Sequence, residues 1–435
     1  MTSELIPPIE KAPKAELASK SNLNIALREI MGGGVTRTVL AILCGFIVGA
    51  ILIIVTSDDV AKVSGYFFSR PMDTISAAWK AVSDGYGALF RGSIYNPKAD
   101  TFLQGIKPFT ETLRLGAPLI AAGLGIALSF RVGLFNIGGL GQLLIGVAFA
   151  SYASFAWPLP PFIHLIVAII FGILGAALWG AIVGFLKATS GAHEVIVTIM
   201  LNYVAVNLVT WLMRSGILHD ETAGSNPQTL APLDTAQLPK ILGDGYNLHA
   251  GFLIVVAATI FYWWLMERSA VGYRFRAVGI NPDAARTAGM NVPKIYVIAM
   301  ASSAAFVGIA SINQTLGRSS GVTPSIDAGI GFDAITVALL GAGGAAGIFF
   351  AGLLFGAMKA GSPTMQIADV SPEVLLVVQG VIVLFIAAPP LVKAIFRLPK
   401  PVADGPIRRA WRGLMTRSKP TDTTADTTTE GKVSK

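Results

Sequence analysis

The sequence predicts an all-α polytopic membrane protein of about ten transmembrane helices with both termini cytoplasmic, and three observations carry that reading. Of the 435 residues, 53% are hydrophobic and 13% charged, and the mean hydropathy is +0.64. A soluble domain of this length could not bury that much apolar surface. Apolar runs long enough to cross a bilayer recur along the chain, with short polar stretches between them. The formal net charge of +8 would suggest nucleic acid in a soluble protein; here it reads as positive charge retained on the cytoplasmic side, with no nucleic-acid partner.

Residues 1–37 mix Glu4, Glu10, Glu16 and Glu29 with Lys11, Lys14, Lys20, Arg28 and Arg37 and hold no long apolar run, which suits a partly disordered cytoplasmic leader. The transmembrane region is expected over 38–396. Its first crossing, 38–55, carries Gly45 and Gly49 at a spacing that allows close helix contact, or that has no particular partner. Cys44, the only cysteine, lies in this run, so an intramolecular disulfide and a thiolate metal cluster are both excluded. A polar leader precedes the run and no small-residue cleavage site follows, as for a retained anchor. Residues 56–110 form an external segment in which Ile75, Ala78, Trp79, Val82, Tyr86 and Leu89 recur at helical spacing, predicting an amphipathic helix on the outer surface.

The second crossing, 113–130, runs into Arg131-Val-Gly-Leu-Phe-Asn-Ile-Gly-Gly-Leu-Gly-Gln142 with almost no aqueous loop. Irregular backbone at membrane depth is tolerated where it is buried in protein or lines a cavity, so this is a pathway element or a tight turn at the membrane face. Crossings three to five are 143–157, ended by Pro158, Pro160 and Pro161, then 162–186, then 194–213 with Asn202 and Asn207 inside it. Residues 214–248 are Pro-rich and poor in Lys and Arg, hence external. Crossing six, 249–266, leads to the arginine-bearing loop 267–294. Within it Asn281 suits an N-cap, Pro282 the first helical position, Asp283 the positive helix end and Gly289 a left-handed stop. A helix that short is marginal alone and needs a docking partner. Crossing seven is 295–316, ending with Asn313 and Gln314; crossing eight starts at Asp333 and is broken by glycines at 341–347; nine continues to Gly361; ten is 373–396. The tail 397–435 is basic, then Thr- and Asp-rich and unfolded. An even number of crossings places both ends with Arg131, Lys187 and the arginine loop, in agreement with the charge.

Several motifs fail on context. The run from Ala334 through Gly341 and Gly343 to Ala346 imitates a dinucleotide turn without any βαβ pattern, and Gly317-Arg-Ser-Ser-Gly321 imitates a nucleophile elbow without a hydrolase sheet. His164, His193, His219 and His249 are scattered, and no phosphate-binding Gly-Lys-Ser/Thr loop is present. Glu194 and Asp333 sit at the ends of crossings and no Lys or Arg is evident deep in one, which disfavours a proton- or sodium-coupled secondary transporter.

Four stretches resemble a known family: 133–146, 191–203, 276–289 and 331–341. Together, and in this order, they resemble the membrane permeases of bacterial ABC importers of the branched-chain amino acid, ribose and nucleoside type. The likeness is greatest to the larger permease of nucleoside importers that work with a purine-nucleoside-binding lipoprotein. It covers 112–395. Leu140 stands where the family commonly has Glu, and Ala342-Gly-Gly-Ala stands where it often has a polar turn. The resemblance implies an ABC importer permease fold without bond chemistry of its own. It also implies a partner ATPase with two nucleotide-binding halves that uses ATP and Mg, a second, smaller permease, and a substrate-binding lipoprotein. No cofactor would be bound by this chain. The helix from Pro282 looks like the coupling helix, with Gly279, Asn281, Pro282, Ala284, Ala285, Arg286 and Gly289 serving ATPase docking. Asn136, Gln142, Asn202, Asn313 and Gln314 are expected to line the path, neutral amides suiting a nucleoside or, alternatively, a ribose-type sugar. An interhelical hydrogen bond without substrate contact is the alternative for each.

Overall fold

The computed structural model describes residues 34–388 and 395–396. The expected tail, nearly all of the expected leader and the end of the tenth crossing lie outside the described residues. The chain falls into two units, one that includes the start of the first helix up to Cys44, and a second, Gly45–Ala387, that holds every contact discussed below.

Helices α1 (Gly34–Thr56), α2 (Asp58–Ser64), α3 (Pro71–Ser93) and α4 (Phe102–Gly105) come first. Then follow α5 (Lys107–Arg131), α6 (Gly139–Ala156), α7 (Ile163–Ser190), α8 (Glu194–Leu212) and α9 (Gly251–Arg268). Two short helices, α10 (Ala270–Ile280) and α11 (Pro282–Thr287), precede α12 (Val292–Leu316), α13 (Ile330–Leu340), α14 (Ala345–Ile367) and α15 (Glu373–Ala387). No strand occurs among the described residues.

Among these, 8 helical segments are long and apolar enough to cross a membrane. The shortfall against the sequence count has two causes. Helix α13 has 11 residues, about 16 Å, half of the hydrocarbon thickness. Helix α15 is described over only 15 residues. What was expected as a full crossing from Asp333 is therefore a half-length helix reached by the irregular stretch 317–329.

Local chemistry sets the boundaries. Helix α7 stops at Gly191, whose φ of +68° is left-handed, and α8 begins with Glu194 in its first turn, where the helix dipole favours a carboxylate. Asn291 Oδ1 accepts from Lys294 N at 3.1 Å and caps α12.

Helices α5 and α12 form the centre. In the crossing that contains α5, 78% of the apolar window is buried, and in α12 61%, against 22% in α8; the first two are core and the third is peripheral. They pack reciprocally: α5 lies on α12 and takes α13 and α14, while α12 takes α6 and α7. The approach is close because small residues face each other. A Cβ on Gly125 would meet Phe306 Cβ at 3.1 Å, and one on Gly308 would meet Ile173 Cα at 2.7 Å. The expected amphipathic helix appears as α3. Its carboxyl half packs on α14 and the chain just beyond it, with Gly92 against Thr364 and Gly85 against Val370, while Met72, Ile75 and Trp79 in its amino half are exposed.

Contacts sort the loops into two ends. Arg131, Gly279, Glu267 and Gly343 meet at one. At the other, Tyr246 Oη donates to Leu103 O, Leu233 N to Ser154 O, Leu238 N to Leu316 O and Thr229 N to Val322 O.

Candidate functional site

The arginine loop is built as its punctuation predicts. Asn281 Oδ1 accepts from Asp283 N and Ala284 N, both at 3.0 Å, and Pro282 opens α11 without needing a donor. Gly289 ends it at φ +83°. Ala284 and Arg286 face outward, with Arg286 Nη1 3.4 Å from Asp283 Oδ1 on an exposed surface. Ala285 does not share that face: it is 4% exposed, and its carbonyl accepts from Met290 N at 3.0 Å. Its small side chain thus serves packing against its own chain. Ile280, just before α11, is 86% exposed, an apolar group that a lone protein leaves in water at a cost.

Gly279 ties this loop to the centre. A Cβ there would lie 3.0 Å from Arg131 C and 3.1 Å from Val132 C, so only glycine lets the end of α10 rest on the chain leaving α5. Arg131 gathers the neighbours: Nη2 donates to Gly343 O at 3.1 Å and Nη1 to Glu267 Oε1 at 3.4 Å. Tyr262 Oη donates to the same Gly343 carbonyl at 3.0 Å, so the Ala342-Gly-Gly-Ala turn takes part through its backbone.

The segment 132–138 then enters the protein without helical bonding, and amides complete it. Asn136 Nδ2 donates to Gln142 Oε1 at 3.1 Å and to Ser303 Oγ at 2.9 Å; its Oδ1 accepts from Gly138 N at 2.9 Å and Gln142 Nε2 at 3.1 Å. All four hydrogen-bonding capacities of that side chain are used. Ser303 Oγ passes on to Gly125 O at 2.7 Å. Asn202 Oδ1 accepts from Gly141 N at 2.9 Å and its Nδ2 donates to Ile137 O at 3.0 Å. Asn136, Gln142 and Asn202 are buried, so in this conformation they hold one joint together. Of the alternatives for 131–142, the structure has irregular backbone buried in protein.

Asn313 and Gln314 lie apart from this cluster, at the opposite end. Gln314 Nε2 donates to Ile326 O at 3.0 Å. Asn313 Nδ2 returns to Ile309 O at 2.8 Å, leaving its buried Oδ1 without a partner. Nearby, a polar cavity of about 760 Å³ is lined by Arg114, Asp234, Lys240, Asn247, Arg318 and Ser320, among others. Its volume suits a ligand the size of a nucleoside. Another cavity, of about 490 Å³ between α6, α7 and α8, is lined by Phe149, Tyr152, Trp179 and aliphatic side chains, and offers such a ligand few polar partners.

One group was missed in the sequence. Lys359 lies well inside α14, not at the end of a crossing, and pairs with Asp333 at 2.8 Å. Its position two residues before the expected end of crossing nine concealed it, because α14 continues to Ile367.

Residues 109–387 match the family model described as the permease component of the branched-chain amino acid transport system. The chain belongs to that permease family. It is 35% identical over 351 residues to the guanosine ABC transporter permease protein NupP of Bacillus subtilis, covering 80% of this chain and 92% of that one. It is 32% identical to the nucleoside ABC transporter permease protein NupB of Lactococcus lactis, over 70% of this chain and 87% of that one. It is likewise 32% identical to the glucose ABC transporter permease protein TsgB13 of Haloferax volcanii, over 64% and 75%. No solved structure matches. The permease match begins in α5 and ends with α15, so it contains the joint, the arginine loop and Lys359, and excludes α1 to α4. The protein is thus a multi-pass cell-membrane permease. Leu140, where the resemblance has a carboxylate, lies with its backbone against Gly331 at the start of α13.

Proposed function

We propose that this permease is the transmembrane subunit of an ATP-driven importer of nucleosides, moved by a separate ATPase that docks on α11. Similarity along 80% of the chain to a guanosine permease carries the substrate reading. The exposed face of Ala284 and Arg286 beside Ile280 supports the docking reading. On it, 267–294 is cytoplasmic, 56–110 and 214–248 are external, and 38–396 is the permease domain between a cytoplasmic leader and tail. The partner is an ATPase with two nucleotide-binding halves that consumes ATP and Mg. A second, smaller permease completes the path and a lipoprotein delivers substrate; two nucleoside permeases of one Lactococcus lactis strain, NupB and NupC, both resemble this chain.

Movement of α11 reaches the path through Gly279, which rests on Arg131 and hence on the joint at Asn136. Of the five amides, Asn313 keeps a buried acceptor without a partner close to the polar cavity, and Asn136, Gln142, Asn202 and Gln314 hold the walls. A simple sugar is the second reading, favoured by the glucose permease relative.

The test is uptake into proteoliposomes holding the permease with its ATPase, second permease and lipoprotein. Labelled guanosine, cytidine, ribose and glucose are compared, with and without ATP. ATP-dependent nucleoside uptake that free sugars do not compete away is expected. Sugar uptake indifferent to nucleosides would transfer the assignment to sugars, and uptake that ignores ATP but collapses with an ion gradient would end the importer reading.

A further inference from the structure

Lys359 is eight residues, about 12 Å, from the carboxyl end of α14. Its ammonium lies 2.8 Å from Asp333 Oδ2 and donates to the Ala328 carbonyl at 2.9 Å. Asp333 occupies the first turn of α13. Just before that helix, buried Asp327 accepts from Gly329 N at 3.0 Å and Gly331 N at 2.9 Å. Two carboxylates and one ammonium therefore converge where a half-length helix begins inside the bilayer.

A purely structural ion pair in a membrane protein is expected to be sealed between helices, because hydrocarbon solvates neither partner. This one is open: the side chains of Lys359 and Asp333 are 26% and 22% exposed. Phe332, next to Asp333, presents its ring at 56% exposure, and Ala328 and Gly329 are exposed beside it. Charge at that depth that is neither buried nor outside belongs on a water-filled path.

We propose that Lys359, Asp333 and Phe332 form a substrate-contact site in the transport path, for an uncharged ligand with hydroxyl groups and a flat heteroaromatic ring. The site rests on the nucleoside reading above and names residues for it. The ammonium has three donors, two of them directed at Asp333 and Ala328, which leaves one for a ligand oxygen or ring nitrogen. The Asp333 carboxylate keeps acceptor capacity for a hydroxyl or an exocyclic amine. Phe332 supplies a face on which a base can stack. The excess of carboxylate over ammonium repels phosphate, so the site passes nucleosides and rejects nucleotides.

The test uses the complete importer in proteoliposomes with ATP. Phe332→Leu is expected to raise the KM for nucleoside uptake about tenfold. Asp333→Asn and Lys359→Met should each lower uptake by at least about tenfold. The charge-swapped pair D333K/K359D should not restore it. Recovery of the wild-type KM in the swap, together with a wild-type KM for Phe332→Leu, would reduce the pair to a clamp between α13 and α14 and overturn the site. Should the charge variants fail to assemble, Phe332→Cys on a Cys44→Ala background decides. A charged, water-soluble thiosulfonate should label it and guanosine should slow the labelling; reaction only with a lipid-soluble maleimide would overturn the proposal. If the wild type carries sugars and not nucleosides, the reading of the substrate fails by itself, and altered sugar KM in Phe332→Leu would still support the contact.

Discussion

Two stretches of this permease do the same thing with different chemistry. Each leaves the end of a central helix, runs through the protein as irregular backbone and starts a new helix there: 132–138 before α6, and 317–329 before α13. In each, one side-chain oxygen accepts from the amide two residues on, Asn136 from Gly138 and Asp327 from Gly329. The two helix starts touch, with Gly139 and Gly331 so close that a Cβ on Gly139 would lie 2.9 Å from the Gly331 carbonyl. In the first, the neutral amide of Asn136 is buried and saturated by Gln142, Ser303 and Gly138, while Glu194 Oε1 accepts from Phe135 N at 3.4 Å nearby. The second is charged and partly open. A neutral amide can be sealed away once all its hydrogen bonds are made, whereas an ion pair at that depth needs a polar surface in front of it. The contrast separates a fixed joint from a surface that meets something.

Asn136→Leu attacks the saturated side and should have the largest effect. It strands Gly138 N, Gln142 and Ser303 in the interior, and each unsatisfied buried group costs about 1–3 kcal/mol. Loss of the folded permease from membranes, or a large fall in Tm in detergent, is expected. Asp333→Asn on the open side should change the stability by less than about 1 kcal/mol; equal losses in both would erase the distinction between joint and surface.

Next in size is Gly279→Val, which pushes α10 away from Arg131. ATP hydrolysis should persist while uptake falls at least about tenfold, because the joint is then detached from the coupling loop and the charged stretch is untouched. Uptake that kept pace with hydrolysis would show that force does not travel through this contact.

A smaller effect is expected at the docking face. Arg286→Glu or Ala284→Trp should weaken co-purification of the ATPase about tenfold without altering membrane abundance. Ala285→Trp, on the buried side of the same helix, should lower abundance instead.

The smallest concerns His249, at the same end as Asn313. Burial, and then the neighbouring charge of Arg114, pushes its pKa down to about 4, and its Nδ1 accepts from Gly251 N at 3.2 Å, which requires the neutral ring. The folded protein therefore refuses a proton that the unfolded chain takes up below its ordinary value near 6.5. Stability should be level above that pH and decline as pH falls from 6.5 toward 4, by roughly 1 kcal/mol at about pH 5.5. His249→Gln should flatten this decline in a pH series of melting curves; an unchanged slope would remove the histidine from the account.

Much of this was legible along the chain because its signals are local. The apolar runs, the Asn281-Pro282 start and Gly289 stop of α11, and the break after Arg131 each depend on residues a few positions apart. Partnerships were not legible. Asn136 and Asn202 look alike as amides amid apolar residues, and only their geometry shows one side chain filling all four capacities and the other bridging Gly141 and Ile137. Ala285 and Ala284 are adjacent and identical, yet they face opposite ways because of how α11 lies on its own chain. Lys359 and Asp333 belong to separate helices, and neither marks the other in the sequence.

The sequence by itself determined that this protein lives in a membrane as a stack of helices, since its continuous apolar runs have the length of spanning helices and a helix satisfies its own backbone. It also determined the bounds of α11, which Asn281, Pro282 and Gly289 set within a turn, but not the end of α14, which runs on to Ile367. Only the tertiary structure decided which polar groups are spent on each other and which stay open. That depends on which helices come into contact, and so on packing between residues far apart in the chain.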